Sequence, residues 1–194
     1  ILIEGLSKLE YRGYDSAGIA VQDNSRDKKE IEIIKAKGRL QALREMTDNG
    51  KAVKGCCGIG HTRWATHGEP SVVNAHPHVS KDKKIAVVHN GIIENYKEIK
   101  EYLQKKGYEF VSETDTEVIA HLLDYYYKGN CLEAITKVLG RVRGSYALGI
   151  LFQENPGVMY AVRKDSPLIV GKSSQGNFIA SDVPAILKYT KTVC

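Results

Sequence analysis

The chain has 194 residues, of which 42% are hydrophobic and 26% are charged, and its formal net charge is +5. These values are ordinary for one globular domain of a soluble protein. They exclude a transmembrane helix, because no apolar run approaches the ~20 residues that such a helix needs. They also argue against a nucleic-acid-binding protein, because the lysines are scattered and form no basic stripe.

The first third of the chain predicts a helix followed by short strands. Residues 1–11 resemble the end of an amphipathic helix, since Leu2, Leu6 and Leu9 recur at helical spacing. A helix that starts without a cap leads us to expect that further residues precede Ile1. The pattern then predicts strands over 16–22, 30–36 and 55–60, with a helix over 38–48.

The remaining two thirds predict three helices flanked by strands. A buried strand over 85–88 ends in a polar turn, and Asn95 and Thr114 each precede a glutamate at capping-box spacing. Helices are predicted over 95–106, 114–127 and 131–139, and strands over 145–152, 158–163, 168–171 and 177–181. A short helix capped by Ser181-Asp182 follows. Strands, then helices, then strands indicate an α+β domain with antiparallel sheets.

The cysteines and the N-terminal residues bear on the compartment. The four cysteines show neither a CxxC motif nor regular spacing, and the chain opens without the basic segment of a signal peptide. We therefore expect a reduced, cytoplasmic protein.

The segment 61–70 holds two histidines, an arginine and the only tryptophan of the chain. Gly68 and Pro70 interrupt regular structure, so we expect a polar loop leaving the end of a strand, where binding groups are often presented. The planar fork of Arg63 suits a carboxylate or a phosphate. The alternative is a surface arginine beside a tryptophan that packs on the core.

Three polar turns could meet at one rim of a sheet: 63–67, 89–91 and 114–115. The side chain of Asn90 and the N–H of Gly91 are suitable donors for a developing oxyanion. Arg63 and Asp115 together could hold the carboxylate and ammonium of a free amino acid. The alternatives are a plain Asn-Gly turn and a helix N-terminal charge at Asp115.

A metal site is a weaker alternative. His76 and His78 could supply two ligands, completed by His67, His89 or Glu69. Because Pro77 restricts the backbone between the pair, we favour loop hydrogen bonds and expect neither a metal nor a cofactor. Phosphate-binding glycine loops and the G-x-S-x-G motif are absent from the sequence.

Five motifs in order resemble one family, the glutaminase domains of glutamine–fructose-6-phosphate aminotransferase (isomerising), or glucosamine-6-phosphate synthase. The resemblance covers nearly the whole chain, and some of its motifs are shared with other class II glutamine amidotransferases. The motifs are Tyr11–Gly18, His61–Pro70, Asn74–His78, His89–Asn95 and Ser112–Glu117.

The resemblance implies an N-terminal-nucleophile hydrolase fold, in which two antiparallel sheets lie between helical layers. It also implies hydrolysis of the side-chain amide of glutamine to glutamate and ammonia. The ammonia would pass to fructose 6-phosphate in a separate isomerase domain, which lies outside 1–194, to give glucosamine 6-phosphate. The implied partners are glutamine or glutamate, that isomerase domain and further copies of the full-length enzyme.

The resemblance also assigns substrate-binding residues. Arg63 would hold the α-carboxylate of glutamine, with Thr66 and His67 lining the same loop. Asp115 would hold the α-ammonium group, and Trp64 would lie near the route taken by ammonia.

The catalytic residues implied by the resemblance are Asn90 and Gly91 at the oxyanion, with Arg12 near the catalytic centre. The family nucleophile is an N-terminal cysteine, whose own α-amino group, with an unperturbed pKa near ~8, acts as the base. None of the four cysteines matches that motif, although Cys57 lies only a few residues from the Arg63 loop. We expect residues 1–194 to lack the nucleophile and to be inactive alone.

Three other functions remain open at this point. The chain could belong to another class II amidotransferase of the phosphoribosyl-pyrophosphate type. It could be a non-catalytic module that binds an amino acid. It could also be a histidine-rich metal enzyme, although that function would leave Arg63, Asn90 and Asp115 without a role.

Overall fold

The computed structural model describes residues 1–23, 30–64 and 68–194. Single 3-10 turns lie at Glu10–Arg12 and Val183–Ala185. The helices are α1 (Leu2–Ser7), α2 (Leu40–Met46), α3 (Tyr96–Gln104), α4 (Glu117–Tyr126) and α5 (Cys131–Leu139). The strands are β1 (Ser16–Gln22), β2 (Ile31–Lys37), β3 (Cys57–Arg63), β4 (His78–Val79), β5 (Ile85–Ile93), β6 (Gly144–Phe152), β7 (Met159–Lys164), β8 (Ile169–Ser173), β9 (Gly176–Ala180) and β10 (Thr192–Val193).

The strands form three antiparallel sheets with the orders β2-β1-β3, β4-β5-β6-β7 and β10-β8-β9. Helices α3, α4 and α5 pack on the four-stranded sheet through a large core that includes Leu103, Leu122 and Leu148. On the other side of the domain, α1 and α2 pack against β1 through a second core that includes Leu6 and Leu43. Helices therefore cover both outer faces of the β-structure.

The two inner faces of the sheets pack directly on each other. Ala20 and Ile59 of the three-stranded sheet contact Ala86 and Leu151 of the four-stranded sheet in a third core. These alternating apolar positions bury one face of each antiparallel sheet, as sheet-on-sheet packing requires. The predicted α+β fold, with antiparallel sheets between helical layers, is confirmed.

Two strands extend further than the sequence pattern predicted. β3 pairs with β1 as far as Arg63 opposite Ser16, and β5 pairs with β6 as far as Ile93 opposite Gly144. The prediction of a loop beginning at His61 and of a polar turn at 89–91 was therefore wrong. These polar residues belong to strand ends that line a cavity. Their side chains face the cavity while their backbones stay paired with the neighbouring strand.

A pair of glycines permits the close pairing of β5 with β6. Gly91 has φ +124° and Gly144 has φ +120°, a region that favours glycine. A Cβ atom on Gly91 would lie 2.1 Å from the carbonyl oxygen of Ser145, and a Cβ atom on Gly144 would lie 2.1 Å from that of Ile92. Each backbone thus occupies the space that a side chain on the other would need.

Both predicted capping boxes were wrong. The side chain of Asn95 caps no helix N–H; it donates to the carbonyl of Arg141 at 3.0 Å and accepts from the N–H of Arg143 at 2.9 Å. α4 begins after Thr116, and Glu117 reaches back to accept hydrogen bonds from the preceding loop. In both cases the side chain forms hydrogen bonds with backbone groups outside the helix instead of capping the first turn. The other predicted helices and strands start and end within about four residues of the predicted positions, whereas the two-residue strands β4 and β10 were not predicted. The sequence Asp23-Asn24-Ser25 also predicts a turn, but it lies largely outside the described residues.

An open cavity of about 1660 Å³ lies between β3 and β9, which are edge strands of their sheets. Ile59 of β3 and Ile179 of β9 both pack beside Gly149 of β6. The cavity runs from α1 to the ends of β3 and β5, so the polar motifs at those ends face it. No helix in the described ranges is both long and apolar enough to cross a bilayer.

Candidate active site

Arg63 ends β3 and is only 6% exposed. Its Nη2 donates to the carbonyl of Gly68 at 3.0 Å, its Nη1 lies 3.5 Å from the carbonyl of Glu69, and Asp15 lies 3.8 Å away. The alternative of a surface arginine is therefore wrong. The guanidinium is held at one end of the cavity, where it also organises the segment that follows residues 65–67.

Asn90 lies at the cavity end of β5, next to Gly91. Its Oδ1 lies 2.8 Å from Nε2 of His61 on β3, so this contact joins the two facing sheets. With its oxygen held on that side, the Nδ2 group of the amide points the other way and is available as a donor.

Asp115 precedes α4 by two residues and is half-buried. Its Oδ2 accepts the backbone N–H of Ile93 at 2.7 Å, and its Oδ1 lies 3.5 Å from Oγ1 of Thr116. The bond to Ile93 fixes the carboxylate beside the end of β5, close to Asn90 and Gly91.

The structure brings six of the eight predicted site residues to one cavity. Trp64 is 57% exposed and meets Tyr14 edge-on at 5.4 Å between ring centroids, so the alternative of a core tryptophan is wrong. Thr66 and His67 lie outside the described residues. The six residues that line the cavity are Arg12, Arg63, Trp64, Asn90, Gly91 and Asp115.

Arg12 approaches the cavity from the 3-10 turn after α1, on the side of β9. Its guanidinium is exposed and donates to Oγ of Ser181, just beyond the end of β9. Arg12 also lies near the end of β3, because the next residue, Gly13, packs against the backbone of Thr62 and Arg63; its role in the chemistry stays a prediction.

Asn74 is a structural element of the site that the sequence did not reveal. It is 3% exposed, accepts the backbone N–H of Glu113 at 2.9 Å, and donates to the carbonyl of Glu69 at 3.0 Å. It therefore ties the segment held by Arg63 to the loop that carries Asp115. No local pattern signals this bridge, because its two ends are 39 residues apart.

Two buried histidines, His78 and His89, contact the threonines on either side of Asp115. Nε2 of His78 lies 3.0 Å from Oγ1 of Thr114, and Nδ1 of His89 lies 2.9 Å from Oγ1 of Thr116. Burial lowers the pKa of His78 to about 3 and lowers the pKa of His89. These neutral rings thus hold the two threonines that flank Asp115.

The metal alternative is not supported by the geometry. Within 1–23, 30–64 and 68–194, no three histidine, cysteine, aspartate or glutamate side chains are grouped so that they could hold a metal ion. His76 packs its ring against His61 and His78, with centroid distances of 4.2 and 4.9 Å. The described histidines are therefore packing and hydrogen-bonding groups.

Glu117 is a buried carboxylate beneath the same loop. Burial alone would raise its pKa, but hydrogen bonds from His121, from Ser112 and from the N–H of Val111 lower the pKa to about 2. Its Oε2 accepts the N–H of Ser112 at 2.7 Å. Glu117 therefore stays charged and fixes the backbone that leads to Asp115.

We expect the free energy of unfolding to fall as the pH is lowered from about 6.5. Unfolded His76, His78 and His89 take up protons near pH 6.5, whereas burial lowers their pKa values in the folded state. Each histidine should contribute up to about 1.4 kcal/mol per pH unit until its folded pKa is reached. Urea unfolding at pH 7, 6, 5 and 4 measures this slope.

Glu117 provides the internal control for that slope. Its folded pKa of about 2 lies below the ordinary value of 4.5, so its contribution is complete above pH 4.5 and is lost only as the pH falls towards 2. Glu117→Gln should leave the slope between pH 6.5 and 5 unchanged. A stability that does not vary between pH 7 and 4 would contradict the assignment of neutral, buried histidines.

The chain is similar in sequence to known proteins. A family model described as a glutamine amidotransferase domain matches residues 61–188. Relatives named glutamine–fructose-6-phosphate aminotransferase (isomerizing) are 61% identical over 193 residues in Caldanaerobacter subterraneus subsp. tengcongensis and 60% identical over 193 residues in Clostridium acetobutylicum. Each alignment covers 100% of this chain but only 31% of the relative, so the chain spans about a third of its length.

A solved structure has a similar fold. Glutamine phosphoribosylpyrophosphate amidotransferase from B. subtilis, complexed with ADP and GMP, aligns with a TM-score of 0.78 at 28% identity. The alignment covers 95% of this chain and 39% of that one. The predicted N-terminal-nucleophile hydrolase fold is confirmed by this likeness together with the sheet-on-sheet architecture.

Proposed function

The chain belongs to the glutamine amidotransferase domain family, and from that premise we propose that its cavity binds L-glutamine and hydrolyses the side-chain amide. The products are glutamate and ammonia. One observation carries the proposal: a guanidinium, a carboxylate and an Asn-Gly pair line the same cavity at the adjoining ends of β3 and β5.

Each of these groups suits one part of glutamine. Arg63 binds the α-carboxylate as a planar two-donor fork, and Asp115 binds the α-ammonium group. The amide Nδ2 of Asn90 and the N–H of Gly91 stabilise negative charge on the side-chain carbonyl oxygen in the transition state. Trp64 stands exposed at the cavity, where it borders the path of the released ammonia.

Three supporting roles complete the proposal. Thr66 and His67, which lie outside the described residues, keep the predicted role of lining the loop that follows Arg63 in the sequence. Arg12, which lines the same cavity, acts near the catalytic centre.

We propose that the nucleophilic thiol is supplied from outside residues 1–194. Cys57 begins β3, six residues before Arg63, which is roughly 20 Å along an extended strand. Cys131 begins α5, which packs on the far face of the four-stranded sheet, and Cys194 pairs its backbone with Val170. Cys56, next to Cys57, lines the cavity at the same distant end of β3, so all four cysteines lie away from the Asn90–Gly91 corner.

The names of the relatives support a proposal for the acceptor of the ammonia. Those at 61% and 60% identity are named for transfer to fructose 6-phosphate, whereas the phosphoribosylpyrophosphate enzyme is only 28% identical. We therefore propose that an isomerase domain of the same polypeptide uses the ammonia to form glucosamine 6-phosphate. A cytoplasmic homo-oligomer is the proposed setting, and the four unpaired cysteines support a reducing compartment.

Residues 1–194 should bind both L-glutamate and L-glutamine and should not hydrolyse the glutamine. Asp115→Asn should weaken binding of both by at least about tenfold, because a charge-assisted contact to the ammonium group is lost. Calorimetry measures the affinities, and glutarate monoamide, which lacks the α-amino group, should bind both proteins equally.

Asp82→Asn is the matched control, since Asp82 is exposed and pairs only loosely with Lys84 at 3.4 Å. Its affinity for glutamate should equal that of the unmodified chain. Equal affinity of Asp115→Asn and the unmodified chain would refute the proposed amino-acid site. Hydrolysis of glutamine by residues 1–194 would instead refute the external thiol.

A further inference from the structure

We propose that His61 is a positioning residue that orients the Asn90 amide, so that its Nδ2 group faces the reacting carbonyl oxygen. The inference rests on the proposed function, because it assigns a residue that acts through the oxyanion donor. The observation behind it is the 2.8 Å contact between Nε2 of His61 and Oδ1 of Asn90, which crosses from β3 to β5.

An asparagine amide has an acceptor at one end and two donors at the other. Unless a neighbour distinguishes the two ends, a half-turn about the Cβ–Cγ bond exchanges them. In the flipped state Oδ1 would face the developing oxyanion and repel it. A donor held firmly against Oδ1 prevents this flip, and His61 is the residue that lies there.

The protonation state of His61 fits this role. Burial is the main reason that its pKa falls to about 4, so the ring is neutral near pH 7. A neutral imidazole carries a single N–H, and Oδ1 can only accept, so that proton belongs on Nε2. Nδ1 is then an unprotonated nitrogen, and it is buried without a hydrogen-bond partner among the described residues.

The ring is held by its packing and has little freedom to turn. His76 packs against it at 4.2 Å between centroids. Gly18 lies opposite His61 in the β1–β3 register, and a Cβ atom there would lie 2.1 Å from the carbonyl oxygen of His76. The glycine thus lets the His76 segment approach the strands closely enough to support the His61 ring.

The test compares two replacements in protein that hydrolyses glutamine. His61→Leu removes the donor and should lower kcat about tenfold, with the KM for glutamine unchanged; this loss is smaller than that for deleting the oxyanion donor itself. His61→Gln keeps an Nε2–H donor and should recover most of the activity. Thr47→Val is the control, since it removes a buried hydroxyl group just after α2 that does not line the cavity, and its kcat should be unchanged.

A double-mutant cycle separates positioning from a general structural role. When Asn90 is already alanine, His61→Leu should cause no further loss of kcat. An equal loss in both backgrounds, or an unchanged kcat for His61→Leu in the unmodified background, would overturn the inference. If Asn90→Ala itself leaves kcat unchanged, it is the proposed function that fails.

A second measurement does not depend on a folded variant or on turnover. Nitrogen-15 NMR of the unmodified chain reports which ring nitrogen of His61 carries the proton. We expect the Nε2–H tautomer between pH 6 and 8. An Nδ1–H tautomer would overturn the inference, because Nε2 could then only accept and could not hold Oδ1 of Asn90.

Discussion

Replacing Asn90 with alanine should lower kcat for glutamine hydrolysis by about 10²–10³-fold, in protein that carries its nucleophilic thiol. The amide Nδ2 of Asn90 would contact the substrate oxygen most strongly when that oxygen carries charge. Its loss should therefore lower kcat and kcat/KM by similar factors and leave KM nearly unchanged. Steady-state kinetics with glutamine as the substrate provide the measurement.

Asn95→Ala is the matched control for that result. Asn95 follows β5 on the same segment, but its side chain binds the backbone of Arg141 and Arg143 and does not line the cavity. It should lose stability and keep its kcat. An Asn90→Ala protein whose KM rises while its kcat is maintained would show that Asn90 binds ground-state substrate and does not stabilise the oxyanion.

Replacing Arg63 with alanine should weaken the binding of L-glutamate by about 2–5 kcal/mol, the usual cost of removing one partner of a buried charged pair. Arg63→Lys should recover only part of this loss, because an ammonium group cannot reproduce the planar fork. Calorimetric titration of residues 1–194 measures the affinities, and Arg163→Ala, on exposed β7, is the control.

Arg63 also holds the carbonyls of Gly68 and Glu69, so its removal loosens a segment as well as deleting a charge. A ligand analogue separates these effects. 4-Aminobutanamide lacks the α-carboxylate, so its binding should be nearly insensitive to Arg63→Ala if the charge is what matters. An equal loss for glutamine and for this analogue would assign Arg63 to loop structure alone.

The sequence was sufficient for the architecture because the apolar periodicity of this chain is regular. β1 was predicted with its observed bounds, and α5 likewise, since each carries an uninterrupted pattern between clear breaks. The order of elements then implied antiparallel sheets with segregated helices. The motif resemblance added the layered arrangement, which local patterns cannot supply.

The ends of β3 and β5 could not be predicted, because sequence patterns treat polar residues and glycine as signs of a turn. In the fold, these residues face a cavity while their backbones remain paired with β1 and β6. Strand pairing over seven and nine residues outweighs the weak local preference of His61 or Asn90.

The hydrogen-bond partners and the burial of residues around the site could not be predicted from the sequence either. Asn74 bonds a residue 39 positions away, Glu117 bonds the backbone of the loop before α4, and Arg63 is buried by the fold around it. Buried polar groups need partners wherever these can be found. Such partners depend on tertiary contacts, so only the residue types of the site were available beforehand, and their roles stay predictions.

The paired glycines of β5 and β6 link two positions that are distant in the sequence. A methyl group at either Gly91 or Gly144 would collide with the main chain of the other strand, and no neighbouring side chain can move aside to relieve that collision. Mutational tolerance should therefore be near zero at both sites, while half-exposed Ile92 beside them accepts many residues. A saturation library that is scored for folding alone should therefore show a sharp contrast between Gly91 and its neighbour Ile92.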